Sequence, residues 1–405
     1  MKRLYIFLLT VLIFGISNAQ KLDLLIEEAL IKNPEIQVFE LKYQVATEKV
    51  NEANTLPNTQ LGVGYFASEP ETRTGPQRFK ISAKQMLPSF GAITARENYL
   101  NSLADALYED IAIAKKRLVA SVSRSYYNLY ALNEKQVVLV QNFQLLKTHE
   151  ALALSAVEVG KASAVDVLRI QMRQNELEQM KQVLGQDYLA ERTNFNKLLN
   201  RDKATTVIIE SEFLMPTDDE FINSSNLVLH PELLKYDKLY NSVSQSELLN
   251  QKESNPMLGF GLDYIGVSER TDADFIDNGK NIIMPMLSLS IPIFNKKYKS
   301  KSKQNELIQQ EILAQKEGRL NKLESLLDKA VKSSNSAQIS YNTQTKNLKQ
   351  AKDAEAILLK NYETGTIDFE DILDIQELEL KFQMNQIESI KNYYLQQTII
   401  NYLTN

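Results

Sequence analysis

The chain has 405 residues, a formal net charge of −5, no cysteine, no tryptophan and only two histidines. An acidic balance without a basic stripe argues against a nucleic-acid partner. The missing cysteine excludes disulfides, so an exported chain of this composition must be held by packing or assembly. Thirteen glycines and ten prolines are few for this length and favour long uninterrupted helices over an all-β fold.

The first 19 residues read as a secretory signal. Lys2 and Arg3 form a basic start, Tyr5 to Ile16 is an apolar run, and Ser17-Asn18-Ala19 is a small-residue cleavage site before Gln20. The apolar run is shorter than the roughly 20 residues a spanning helix needs. Removing Lys2 and Arg3 takes the net charge from −5 to −7. Without a cysteine after the signal, N-terminal lipidation is not expected.

The rest of the chain is duplicated. Asn33-Pro34-Glu35-Ile36 matches His230-Pro231-Glu232-Leu233, and Pro57 with Leu61-Gly62-Val63-Gly64-Tyr65 matches Pro256 with Phe260-Gly261-Leu262-Asp263-Tyr264. Pro88-Ser89-Phe90-Gly91 matches Pro292-Ile293-Phe294-Asn295. Gly160, Asp166, Val167, Leu168, Ile170 and Gln171 match Gly365, Asp371, Ile372, Leu373, Ile375 and Gln376. The offset drifts only from 197 to 205. The expected organisation is signal 1–19, first repeat 20–200, a connecting segment 201–226 around Pro216 and Asp218-Asp219-Glu220, and second repeat 227–405.

Each repeat reads as helix, two strands, then two long helices. Pro34 and Pro231 suit the first turn of a helix, and those helices should run to about Asn54 and Glu253. Leu61, Val63 and Tyr65, then Phe79, Ile81 and Ala83, then Leu258, Phe260, Leu262 and Tyr264, then Leu287, Leu289 and Ile291 each alternate with small or polar residues. That is the period of a strand with one apolar face. Runs of about 9–11 residues match a tilted strand crossing a bilayer. A soluble antiparallel sheet with one wet face gives the same pattern.

From Gly91 to about Leu145 there is no proline and no glycine. Leu100, Leu103, Leu107, Ile111, Ala114, Leu118, Val122, Leu129 and Leu132 recur at gaps of three, four and seven, a heptad seam. Ile170, Leu177 and Leu184, and later Leu373, Leu380, Ile387 and Tyr394, recur at sevens. The stretch from Lys296 to Leu348 is helical but more polar, suited either to lining a watery lumen or to a solvent-exposed coiled coil.

Four strands cannot close a membrane barrel, which takes at least about eight. Open edges are not tolerated in lipid. Spanning strands must therefore be pooled by several chains, and helices with single apolar seams also need partners. In this duplicated order, with its repeated Gly-x5-Asp-(Val/Ile)-Leu-x-Ile-Gln element, the sequence resembles the TolC family of outer membrane efflux factors across about residues 20–405. The resemblance implies a mainly α chain with a small β part. Three chains would form a twelve-stranded β-barrel, four strands each, on a long α-helical coiled-coil barrel.

The resemblance further implies a Gram-negative outer membrane location reaching into the periplasm. The implied partners are outer membrane lipid, a periplasmic adaptor protein and an inner membrane pump of RND or ABC type. Loops around Glu71–Gln77 and the acidic Glu269–Lys280 would face outside. Val159, Gly160 and Lys161, and Thr364, Gly365 and Thr366, would be the adaptor-docking tips, although Lys161 and Thr364 depart from the usual tip motif. Asp371 and Asp374, spaced i, i+3 on one helix face, would form carboxylate rings at a closed entrance. A helix-dipole role explains the same residues. Asp166, the first-repeat counterpart of Asp371, would latch to Tyr362. Arg169 corresponds to Asp374, and Ile367 stands where the family has an arginine.

The other candidates have plain readings. Met284 and Met286 share a strand face and suit packing before soft-metal binding. His230 suits a helix start, and His149 an isolated polar-helix position. Tyr65, Phe66, Tyr264 and Phe260 suit either a membrane-boundary girdle or a sheet core. No His/Asp/Glu cluster has metal spacing, no phosphate loop is present, and no serine has a plausible histidine partner, so neither an enzyme nor a cofactor is expected. The function implied is an exit duct for small solutes. The overall likeness leans to the CzcC- and CusC-like branch exporting divalent metal cations. Drug, detergent or protein export, or a non-channel coiled-coil scaffold, remain alternatives.

Overall fold

A computed structural model describes residues 22–160, 163–209, 213–216, 224–272, 276–364, 366–367 and 369–404. The expected signal segment, the tip residues Lys161 and Gly365, and Asp218-Asp219-Glu220 lie outside the described residues. Helices α1 (Leu22–Lys32) and α2 (Pro34–Ala53) lead to strands β1 (Gln60–Tyr65) and β2 (Gln77–Leu87) and helices α3 (Ala92–Glu158) and α4 (Ala164–Leu198). After a 3-10 turn at Ser224–Leu229, the order returns as α5 (Pro231–Glu253), β3 (Met257–Val267), β4 (Ile282–Ser290), α6 (Lys297–Glu363) and α7 (Phe369–Thr404).

Several boundaries depart from the sequence expectation. Helix α1 was not anticipated; it buries Leu25 and Ala29. Strand β1 has six residues, not 9–11, with Pro57-Asn58 before it and Ser68–Pro70 after it. Helix α3 passes Leu145 and ends at Glu158, and α6 passes Leu348 and ends at Glu363. The sequence turns polar there but contains no breaker, and the buried stripe continues through Leu146 and Ala153, and through Ala351. A helix of 67 residues rises roughly 100 Å at 1.5 Å per residue.

The chain divides into two compact units that cut across the duplication. One comprises 38–111 and 231–319, and contains the whole sheet. Its four strands form an antiparallel meander in the order β1-β2-β3-β4. Registers such as Val63↔Ile81, Ile81↔Tyr264 and Leu262↔Pro285 set the apolar positions side by side. Leu61, Val63, Tyr65, Ile81, Leu258, Phe260, Leu262, Ile283, Leu287 and Leu289 are all exposed on that face. The opposite face carries Lys80, Ser82, Lys84, Met86, Asp263, Met284 and Met286, as the registers require. Asp263 is fully buried there and ion-paired with Lys80. On this face a Cβ at Gly259 would stand 2.3 Å from Met86 Sδ and 2.4 Å from Ser288 Oγ, so both side chains would have to turn aside to admit one.

In the same unit, α5 and α6 meet along a polar seam. Asn250 Nδ2 donates to the Tyr298 carbonyl at 2.9 Å, and Asn305 Nδ2 donates to Glu247 Oε2 at 2.9 Å. Lys235 pairs with Asp110 at 2.7 Å, and Glu232 with Arg319. In the first part of α3 the expected leucine seam is displaced: Leu100, Leu103 and Leu107 are half-buried. The buried residues there are Ala92, Ala95, Ser102, Ala104 and Ala106, followed by Ile111 of the expected seam. Small side chains let helices approach closely, leaving the leucines on the flanks.

The second unit comprises residues up to 37, 112–230 and 320 onward. Here the expected seams hold in part: Leu118, Val122 and Leu129 on α3, Ile170 and Leu177 on α4, and Leu380 and Ile387 on α7 are buried, Leu132, Leu184, Leu373 and Tyr394 are half-buried, and the α3 seam runs on through Leu139, Leu146 and Ala153. The residue before each repeat's first proline ties down the far end of that repeat. Asn33 Nδ2 donates to the Leu198 carbonyl at 2.9 Å, and His230 Nε2 lies 3.1 Å from the Tyr402 carbonyl. The connecting segment is strapped on by Phe213, whose ring lies 4.8 Å from Tyr130 and 5.0 Å from Tyr394. Arg201 grips Glu28, and its hydrogen bonds pull that carboxyl down to about 2.

Candidate gate and membrane face

The ends of α3, α4, α6 and α7 share one apolar cluster that includes Ala153, Val167, Ile170, Phe369, Ile372 and Leu380, with Tyr362 packed against it. Phe369 is fully buried, and its ring lies 5.1 Å from that of Tyr362. Asp166 is buried at the start of α4, where Ser163 and Asp166 form a capping box: Val165 N–H donates to Ser163 Oγ at 3.1 Å, and Ser163 N–H to Asp166 Oδ2 at 3.2 Å. Tyr362 lies within the electrostatic reach of Asp166: burial, then the Asp166 charge, push its hydroxyl above the ordinary tyrosine value. That hydroxyl is buried and takes no hydrogen bond. The structure thus brings Asp166 and Tyr362 together electrostatically while the aspartate is engaged in capping.

Asp371 and Asp374 are exposed on α7, turned away from buried Ile372. Arg169 does not reach Asp374; it donates to Glu370 at 2.6 Å, cross-linking α4 to α7. The sequence reading missed this pair because it compared repeat-related positions, whereas the contact joins neighbouring helices. His149 was expected to be an isolated polar position. It is only 4% exposed, and its Nε2 lies 3.1 Å from Gln376 Nε2. The polar residues beside it on α3 concealed its inward direction.

Gly160 ends α3 at φ 70°, a left-handed value that suits glycine. Val159 beside it is 68% exposed. At the second tip the Asn361 carbonyl accepts from Thr366 N–H at 3.0 Å and from the Thr366 and Thr364 hydroxyls at 2.8 and 2.9 Å.

Tyr65, Tyr264 and Phe260 all lie on the exposed apolar face of the sheet. Tyr65 and Tyr264 stand toward the loops, where Tyr264 Oη accepts from Asn281 Nδ2 at 2.6 Å. Phe66 follows β1 and is half-buried. Phe90 and Phe294, recognised in the sequence only as repeat landmarks, are each 98% exposed at the strand-to-helix junctions. In the outer loops Arg270 pairs with Asp272 at 2.8 Å and Lys280 with Asp277 at 3.2 Å, offsetting part of the acidity read from the sequence.

A four-stranded meander with one apolar face, whose β1 and β4 edges have no strand partner among the described residues, does not close into a barrel within one chain. The chain matches the model of the outer membrane efflux protein family over residues 25–201. Its fold is that of CusC, at TM-score 0.78 and 14% identity over 95% of this chain and 92% of that one. It is also that of VceC from Vibrio cholerae, at TM-score 0.75 and 17% identity over 95% and 96%. The CmeC outer membrane channel of Campylobacter jejuni matches at TM-score 0.74 and 13% identity over 95% and 85%. No curated protein matches the sequence.

Proposed function

We propose that this chain is the outer membrane exit duct of a tripartite efflux pump in a Gram-negative cell. The observation that carries the reading is the sheet: its apolar face fits lipid, and its free β1 and β4 edges require further copies. Three copies supply twelve strands, within the range of closed outer membrane barrels. The helices extend the duct into the periplasm. There the tips at Val159–Gly160 and Thr364–Thr366 meet an adaptor protein, which links the duct to an inner membrane pump of RND or ABC type. The duct performs no covalent chemistry, and direction comes from the pump.

At the periplasmic end, Asp371 and Asp374 become two carboxylate rings under threefold symmetry. Rings of that kind attract cations and hold back anions. Tyr362 on Phe369, the capped Asp166 and the Arg169–Glu370 pair hold the four helix ends together. The acidic entrance and the likeness to the CzcC- and CusC-like branch favour divalent metal cations as cargo.

Growth of a deletion strain on copper, zinc, cobalt and cadmium salts, and separately on dyes, detergents and antibiotics, tests both levels. Metal sensitivity restored by the intact gene supports the metal reading. Sensitivity to the second panel alone makes it a drug-efflux duct. Mature protein recovered wholly in carbonate-soluble periplasmic extract would sink the duct.

A further inference from the structure

Behind the gate, three helices meet through polar groups enclosed in apolar packing. The carboxamide of Gln376 (α7) bridges them: its Nε2 donates to Glu355 Oε1 (α6) at 2.9 Å and stands 3.1 Å from His149 Nε2 (α3). One helical turn further along α7, Glu379 faces the same Glu355, whose negative charge acts on it. His149, Gln376 and Glu379 are 4%, 6% and 6% exposed. His149 Nδ1, Gln376 Oε1 and Glu379 Oε1 are buried without a partner. The His149 ring lies 5.7 Å from Phe369, which packs on Tyr362, so the cluster is one side chain from the gate.

We infer that His149, Glu355, Gln376 and Glu379 form a proton-operated latch, which clamps α6 to α7 when Glu379 is protonated and parts them at the periplasmic entrance when Glu379 is ionised. Two carboxyls facing each other across a helix pair can share one proton, but two carboxylates there repel. A donor amide on Glu355 leaves His149 Nε2 as the acceptor, so the clamped form holds a neutral imidazole. The other charges facing the cluster are few. Lys352 on α6 draws Glu379 toward ionisation. On α3, Glu150 is engaged by Gln171 and Gln174 of α4. On α4, Arg173 is engaged by Glu176 and Glu377.

The two titrations bound a pH window. Burial, then the Glu355 charge, raise Glu379 to about 7. A carboxyl raised in the folded state stabilises the clamp at low pH, and that contribution is lost as pH rises toward and through 7. Burial lowers His149 below its ordinary value, against the opposing pull of Glu355. A lowered imidazole stabilises the clamp above its ordinary range, and that contribution is lost as pH falls through the depressed value. The clamp therefore holds in mildly acid conditions and weakens on the alkaline side first.

The output of the latch rests on the duct reading; its titration does not. The test uses the full-length mature trimer, with thermal stability and resting conductance in planar bilayers measured from pH 5.5 to 8.5. Each proton released per chain changes the open–closed constant by about tenfold per pH unit above the midpoint. Wild type should lose stability and gain conductance across pH 7. Glu379→Gln should stay closed with both profiles flat, and Glu355→Gln should move the midpoint to lower pH. A conducting Glu379→Gln channel with the wild-type pH response overturns the latch. So does an unmoved midpoint in Glu355→Gln, which covers the case that Glu379→Gln fails to assemble. If stability tracks pH in wild type but not in Glu379→Gln while no protein conducts, the duct reading fails and the titration stands.

Discussion

Lys80 neutralises an aspartate that has no access to solvent, so the two ends of this ion pair are unequal. Lys80→Met strands a buried carboxylate in the sheet and should cost about 3 kcal/mol, read as a lower dissociation temperature of the trimer; Asp263→Asn should cost less. At the gate, Tyr362 offers a similar separation of parts. Its hydroxyl takes no hydrogen bond, so Tyr362→Phe should leave stability and resting conductance near wild type. Tyr362→Ala removes the ring from Phe369 and should raise resting conductance. A closed Tyr362→Ala channel would show that packing there does not hold the gate. Asp371 and Asp374 make no fold contacts comparable to these, being exposed. Replacing both with asparagine should lower cation preference, measured as a reversal-potential shift in a salt gradient, and leave the melting temperature unchanged.

Among the elements, the strands were legible because alternation of apolar and small residues needs no knowledge of the partner, and the duplication checked each strand against its copy. The long helices were legible from missing breakers, but their ends were not. Polar runs such as Lys147–Glu150 look like termini, yet the helix continues because Ala153 still has a face to bury. His149 was misread for the same reason. A histidine among exposed residues reveals its inward direction only when the facing helix supplies Gln376. The first tip turn lay within local sequence and was readable from Gly160, whereas the capping role of Asp166 went unread although Ser163 three residues earlier signals it. The Arg169–Glu370 link and the Phe213 strap lay between segments far apart in the chain and were not readable. Phe90 and Phe294 occupy an intermediate place: the repeat located them, and only the structure shows that each is 98% exposed at a strand–helix junction.

At the scale of the whole molecule, the edges β1 and β4 decide the behaviour. The chain has no cysteine, so introduced pairs are unambiguous reporters. Single cysteines placed in β1 (60–65) and β4 (282–290) of the same chain should cross-link only between chains, giving a ladder that stops at three on denaturing gels. A ladder that continues past three, or a cross-linked monomer, would contradict a closed trimer. In the proposed duct the same edges also divide maturation into two regimes. Helical pairing is local and first-order, and local contacts form fast. The last row of β hydrogen bonds waits for a collision with another copy, so its rate scales with how many chains are present. Newly exported chains should accumulate as helical monomers with an unsatisfied sheet whenever synthesis is slow. Expression level thus becomes a kinetic control over the number of working ducts.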